Sequence, residues 1–277
     1  MEVKNLQIDD GEFGFIPCDM RFKNDGKKKP AVIFMHGFKS FKDWGFIPQV
    51  CKEFATSGAI ALNFDFSENG IIDPEKQEYD PEIFRKQTVS KMIEDAGIVF
   101  NFVRMKINEL SDDQFNGDIY ITGHSLGAAV AVLAIKKFRL KAKKLAMWSP
   151  IATLDRHTER QKKEWVKNDY IDVKIQGTDQ VLPLDLTYLT DKEILGDNAI
   201  LEAIEKIKIP KLIVHGQQDL TAKESEAKEL AKAAGSSAEL FFVENAGHTF
   251  GIEHPFLHVN PSLAEAIEKS IDFFELT

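Results

Sequence analysis

The chain has 277 residues, 44 acidic and 35 basic side chains and a formal net charge of −9. Its 43% hydrophobic and 29% charged content is that of a globular protein, which excludes disorder and collagen-like repeats. Net acidity argues against nucleic acid or anionic membrane as partners, because both need clustered Lys and Arg.

The length suits one or two domains with a core large enough to need no disulfides. The two cysteines, Cys18 and Cys51, read as free thiols of a reducing compartment. The N-terminus has no basic region followed by an apolar stretch, and no apolar run nears the roughly 18 residues of a membrane span. The expectation is a cytoplasmic protein with no membrane partner.

Residues 3–22, with Asp-Asp-Gly at 9–11, read as an antiparallel hairpin at a sheet edge. Short apolar runs follow at Ala31–Met35, Ala59–Phe66, Asp118–Thr122, Lys144–Trp148, Lys211–Val214 and Leu240–Val243. Continuous apolar runs suit strands covered on both faces. Amphipathic stretches near 47–57, 82–108, 125–139, 221–234 and 261–275 read as helices. Strands alternating with helices predict a mostly parallel α/β sheet. Residues 151–205 break this rhythm, being long, polar and dotted with Trp165, Tyr170 and Tyr188. A structureless loop of that length is improbable in a compact domain, so the segment is expected to form a small inserted cap. The core domain would then comprise 1–150 and 206–277.

Gly123-His124-Ser125-Leu126-Gly127 matches G-x-S-x-G. The pattern is weak alone, but here a strand precedes it and an Ala- and Val-rich helix follows it. Strand, sharp turn and helix make a nucleophile elbow, which lifts the Ser125 hydroxyl clear of the sheet. A nucleophilic serine needs a base, and the base an orienting acid, in the chain order Ser, acid, His. His248 stands just past the last apolar run, at a strand's carboxyl end, where ligands bind in open α/β sheets. Asp219 stands just past the preceding strand, while Glu224 and Glu226 read as helix surface. His215 reads as packing at the strand end, and His157 as a surface residue of the insert. His254 and His258 are four apart, but Pro255 lies between them and no third ligand is near, so no metal is expected. Ester or amide cleavage also needs donors for an oxyanion. The Leu126 amide and, after the strand Ala31–Met35, the Phe38 amide suit that role, with Gly37 letting the backbone turn close to the substrate.

His36-Gly37-Phe38, Asn63-Phe64-Asp65-Phe66, Gly123-His124-Ser125-Leu126-Gly127, His215-Gly216-Gln217-Gln218-Asp219 and Ala246-Gly247-His248 resemble the α/β-hydrolase superfamily. Within it the chain is most similar to the cinnamoyl/feruloyl-esterase and dienelactone-hydrolase-like branch related to prolyl oligopeptidases. The resemblance implies an α/β-hydrolase fold with an eight-stranded, mostly parallel sheet and a small cap. It also implies Ser125 as nucleophile, His248 as base, Asp219 as acid and the Phe38 and Leu126 amides as oxyanion hole. True dienelactone hydrolases carry a cysteine nucleophile where this chain has Ser125. Relatives often have Gln at position 126, a Gly-Gly pair at 127–128 and Gly-His-Gly in the loop that reads Ser67-Glu68-Asn69-Gly70 here.

The expected function is a carboxylesterase-type serine hydrolase acting on short-chain or aromatic-acid esters through an acyl-enzyme. It needs no metal or organic cofactor, and its partner is a small-molecule ester. His36, Gly37, His124, Trp165 and Tyr170 are expected to contact that substrate. The alternatives are a peptidase or thioesterase on the same triad and a non-catalytic binding protein on the scaffold. The sequence leaves the oligomeric state open, with a homodimer as one option.

Overall fold

The computed structural model describes residues 1–11 and 14–276. β1 (Glu2–Asp9) and β2 (Phe15–Phe22) pair antiparallel from Glu2–Phe22 to Asp9–Phe15, forming the expected hairpin. Residues 12 and 13, between these strands in sequence, lie outside the described residues. β3 (Lys29–Met35), α1 (Ile47–Thr56) and β4 (Ile60–Phe64) follow, then a ribbon of β5 (Ile71–Asp73) and β6 (Glu78–Tyr79).

The stretch expected to be one helix over 82–108 is two, α2 (Pro81–Phe84) and α3 (Val89–Leu110). Each starts on its own cap. The Asp80 carboxylate accepts from the Glu82 and Ile83 amides, and Thr88 accepts from the Lys91 amide. Such caps satisfy amides that have no partner inside the helix.

β7 (Phe115–His124), α4 (Leu126–Phe138) and β8 (Lys144–Trp148) complete the first half. The insert holds α5 (Glu159–Asn168), an antiparallel pair β9 (Tyr170–Lys174) and β10 (Val181–Asp185), α6 (Leu186–Leu195) and α7 (Ala199–Lys206). The chain ends with β11 (Lys211–Gly216), α8 (Glu224–Ala234), β12 (Ala238–Val243) and α9 (Pro261–Phe274).

The main sheet has eight strands in the order β1-β2-β4-β3-β7-β8-β11-β12. Only the pairings of β1 with β2 and β2 with β4 are antiparallel. Alternation along each strand builds two apolar layers. Ile33, Met35, Leu145, Met147 and Ile213 face the layer of α3, α4, α7 and α8. Val32, Phe34, Ala146, Trp148, Leu212 and Val214 face the layer of α1 and α9. A strand buried on both faces has no polar positions to spare, so its sequence reads as an unbroken apolar run.

Residues 151–205 do not stand apart as one unit. Helix α7 packs on α4 and α8 in the core's helical layer. Trp165, Leu182, Leu184, Tyr188 and Leu189 join the same buried cluster as α3 and α4. Side-chain bonds dock the rest of the insert on residues 79–90. Arg85 Nε meets Asp185 Oδ1 at 2.9 Å, Gln180 Oε1 accepts the Tyr79 amide at 3.1 Å, and Asp191 Oδ2 accepts the Ser90 amide at 3.0 Å.

Candidate active site

Ser125 sits between the last residue of β7 and the first of α4, with φ 55° and ψ −120°. A non-glycine residue held there is strained. The flanking glycines allow it by letting backbone approach backbone. A Cβ on Gly127 would overlap the carbonyl oxygens of Met35 and His36, and one on Gly123 would overlap the carbonyl of Gly127. The Ser125 amide donates to the Trp148 carbonyl at 2.8 Å, fixing the turn to the neighbouring strand. Leu126 is the first residue of α4, so its amide has no acceptor within the helix.

The loops after β11 and β12 bring Asp219 and His248 together. His248 Nδ1 lies 2.7 Å from Asp219 Oδ2. The other oxygen, Oδ1, accepts the Thr221 and Ala222 amides at 2.8 and 2.9 Å. The same residue therefore caps the following turn as well as holding the imidazole. Burial by itself raises the Asp219 pKa, but the His248 bond, the imidazole charge and the two amides outweigh it and hold the carboxyl below its usual range. A carboxylate can only accept, so Nδ1 of His248 carries the proton and Nε2 is left for a second partner. His215 Nε2 lies 3.7 Å from Asp219 Oδ2 and donates to the Ala222 carbonyl at 3.0 Å.

His124 and His36 work on backbone. His124 Nε2 donates to the His248 carbonyl at 2.9 Å, and burial pushes its pKa down to about 3. His36 Nδ1 donates to the Gly37 carbonyl at 2.8 Å, while its Nε2 accepts the Phe66 amide at 3.2 Å. Burial lowers the His36 pKa to about 4, consistent with this neutral tautomer. The Gly37 carbonyl and the Phe38 amide belong to one planar peptide and point opposite ways. His36 thus sets the direction of the Phe38 N–H.

A cavity of about 660 Å³ opens over the elbow. Gly37, Phe38, His124, Ser125, Leu126 and His248 all line it. Three expected substrate contacts do not. His36 is buried behind the loop with both ring nitrogens on backbone. Trp165 is fully buried and stacks behind Tyr188 with ring centres 6.2 Å apart, because it is the one side chain that α5 buries in the cluster shared with α3 and α4. Tyr170 starts the ribbon strand β9, whose alternation turns it outward to 41% exposure.

Tyr188 lines the cavity instead and stacks on Phe38 at 5.5 Å. Lys39, Lys192 and His254 line it as well. The sequence marks Tyr188 only as one of the insert's three aromatics, and the spacing of four between it and Lys192 does not say where that face points. His254 accepts the Gly45 amide at Nδ1 and donates from Nε2 to the Pro74 carbonyl, and His258 is exposed. Glu226, expected on a helix surface, is half-buried and binds the insert. Its Oε2 accepts the Ala152 amide at 2.9 Å and meets Arg156 Nη1 at 2.8 Å.

Among solved structures, Est1E from Butyrivibrio proteoclasticus with ferulic acid bound superposes with a TM-score of 0.74 at 21% identity, covering 98% of each chain. A propionate-bound thermophilic esterase, Est2 of Thermogutta terrifontis, gives 0.66 at 17% identity, covering 99% of this chain and 93% of that one. The mouse alpha/beta hydrolase domain-containing protein 10 gives 0.71 at 16% identity, covering 98% of each. These likenesses establish the α/β-hydrolase fold. A search of curated protein sequences finds no match. The profile of the dienelactone hydrolase family matches residues 20–277. With that match spanning nearly the whole chain, the protein belongs to the dienelactone hydrolase family, a family of hydrolases.

Proposed function

We propose that the protein is a serine hydrolase of carboxylic esters, with Ser125 as nucleophile, His248 as base and Asp219 as orienting acid. The observation that carries this reading is the 2.7 Å His248–Asp219 bond at a cavity that also contains the strained Ser125 turn. Ser125 Oγ attacks the ester carbonyl as His248 Nε2 takes its proton. The Phe38 and Leu126 amides receive the negative charge on the carbonyl oxygen. His248 then protonates the departing alcohol, leaving an acyl-enzyme. Water, deprotonated by His248, releases the acid and restores Ser125. Asp219 stays ionised throughout and steadies the imidazolium. No step calls for a metal or organic cofactor.

The insert serves as the cap, and Tyr188 stacked on Phe38 forms an apolar wall beside the reacting carbonyl. That wall and the cavity size support short-chain or aromatic-acid esters as substrates. Among the described residues no helix is long and apolar enough to cross a membrane. The buried free thiols Cys18 and Cys51 support a cytoplasmic location.

Hydrolysis of p-nitrophenyl acetate and labelling by a fluorophosphonate test the reading. Wild type is expected to react with both. Ser125→Ala should lose the label and at least about a thousandfold in turnover with unchanged circular dichroism. Activity within tenfold of wild type in that variant overturns the assignment.

A further inference from the structure

Two adjoining stretches of the sequence take no part in the triad. Asn63-Phe64-Asp65-Phe66 runs off the end of β4, and Ser67-Glu68-Asn69-Gly70 follows it. None of these eight is among the described residues that line the cavity.

Their place in the sheet gives them another task. β4 pairs in parallel with β3 as far as Phe64 opposite Met35, so residues 65 and 66 emerge beside His36. The Phe66 amide donates to His36 Nε2 at 3.2 Å and ties down the start of the loop that bears Phe38. Asp65 ties down its far end. Asp65 Oδ1 accepts the Lys42 amide at 2.7 Å, and the Asn63 side chain donates to the Lys42 carbonyl at 2.7 Å. Asn63 and Asp65 are two residues apart, so strand alternation turns both to one side.

Only Gly37 to Phe41 lie between these ties, and none of them is in a helix or a strand. Within that span the Tyr79 hydroxyl donates to the Lys39 carbonyl at 3.2 Å. With no ladder of its own, the segment takes its shape from what holds its ends, and the Phe38 amide points accordingly.

Asp65 is only 5% exposed, and both donors on its Oδ1 are neutral. The second is Asn69 Nδ2, at 2.9 Å. The Lys42 ammonium goes instead to Asp19 Oδ2 at 3.1 Å and Asp43 Oδ2 at 2.6 Å. Burial pushes the Asp65 carboxyl up to about 7, and the Lys42 amide offsets it only in part. An apolar side chain would be easier to bury here, but it would leave the Lys42 amide without its acceptor.

We infer that Asp65 is a positioning residue for the oxyanion hole: through the Lys42 amide it holds residues 37–41 so that the Phe38 N–H faces the carbonyl that Ser125 attacks. The inference rests on the ester-hydrolase reading and extends it to a residue outside the cavity.

Three variants test it. Asp65→Ala removes the acceptor, whereas Asp65→Asn keeps an Oδ1 that can take both N–H bonds. Asn5→Ala is the control, because it removes the donor to Asp19 in the same polar cluster without touching the Lys42 backbone. Each is assayed on p-nitrophenyl acetate and titrated with a short alkyl trifluoromethyl ketone, whose adduct with Ser125 puts a charged oxygen in the oxyanion hole. Outright loss of one oxyanion donor costs about 10²–10³ in turnover, so a Phe38 amide displaced but still present predicts a loss of roughly thirtyfold in kcat for Asp65→Ala. KM should stay within about threefold, and ketone affinity should fall by the same factor as kcat/KM. Asp65→Asn should return kcat to within about threefold of wild type, and Asn5→Ala should match wild type. Amide hydrogen exchange should quicken at residues 37–42 of Asp65→Ala and stay unchanged in α4.

Full kcat and ketone affinity in folded Asp65→Ala overturn the inference. So does unchanged exchange at residues 37–42, a loss in Asp65→Asn as large as in Asp65→Ala, or an equal loss in Asn5→Ala. Circular dichroism shows whether Asp65→Ala folds, and if it does not, Asp65→Ser, too short to reach the Lys42 amide, supplies the same comparison. A wild type that turns over no ester counts against the esterase reading, and the exchange pattern then still decides whether Asp65 holds the loop.

Discussion

The elbow and the insert are built by opposite means. Around Ser125 the backbone itself makes the structure. Gly127 lies against the carbonyls of Met35 and His36, the Ser125 amide binds the Trp148 carbonyl, and every residue of α4 from Leu126 to Ile135 is buried. The insert is tied down mainly by side chains, through its buried apolar residues and through Arg85 to Asp185, Gln180 to the Tyr79 amide and Glu226 to Arg156, with one backbone bond from the Asp185 amide to the Arg85 carbonyl at 3.0 Å. Backbone packing leaves few residues acceptable at a position, whereas side-chain docking leaves many. The proposed chemistry stands on the part with little freedom, and selection of substrate on the part with more.

If that contrast is right, changes at the elbow end should damage the reaction out of proportion to their size. Asp219→Asn keeps the shape of the acid but presents an amide to His248, which disfavours the tautomer with its proton on Nδ1. The expected loss is on the order of 10⁴ in kcat, with circular dichroism unchanged. Glu224 lies on the surface of α8, paired with Lys228, and Glu224→Gln should leave kcat within about twofold. A large loss from the second change and none from the first would move the acid away from Asp219. Measuring both on one p-nitrophenyl ester decides it.

Glycines separate the two regions by a smaller effect. Gly127→Ala forces a methyl group into the Met35 and His36 carbonyls and should cost about 3 kcal/mol or prevent folding. Gly177 in the insert has φ +82°, but a Cβ there would find only Gln77 Oε1 at 3.8 Å. Its substitution by alanine should cost about 1 kcal/mol, the strain of a left-handed residue alone. Urea midpoints of the two variants check the ordering, and equal costs would break the comparison.

The same contrast decides what could be read from the sequence. The strands β3, β7, β8 and β11 announce themselves as apolar runs because both sheet faces are covered, and the structure places them within a few residues of those runs. G-x-S-x-G needs its glycines for a local reason, so the elbow is legible from five residues. Asp219 and His248 are legible because each follows directly on a strand. Other features depend on segments far apart in sequence. His36 looks like a substrate contact until Phe66, thirty residues on, occupies its Nε2. Trp165 and Tyr188 carry the same aromatic signal, yet only the lie of α5 and α6 on the core decides which of them reaches the cavity. Helix α7 reads as part of the insert by position, and its packing on α4 and α8 is visible only in three dimensions.

The smallest expected effect lies at the joint between the two regions. Glu226 Oε2 accepts the Ala152 amide and Arg156 Nη1, and Oε1 accepts the Lys223 amide at 3.1 Å. Arg156 also reaches the Thr221 carbonyl, two residues past Asp219, so this group links the start of the insert to the loop that bears Asp219. Glu226→Gln keeps one oxygen, which can serve Lys223 or Ala152 but not both, and turns an NH₂ group towards a donor. The ion pair is partly exposed, with side chains 28% and 13% accessible, so its electrostatic share is small. The lost acceptor adds to it, and about 1–2 kcal/mol in all is expected. For a chain of this size that lowers the melting temperature by a few degrees. Because the link holds the insert and not the Asp219–His248 bond itself, limited proteolysis near 151–158 should quicken more than the melting temperature alone implies. Unchanged proteolysis there, with the same loss of stability, would show that the insert is held by its apolar contacts with α3 and α4 and not by its side-chain ties.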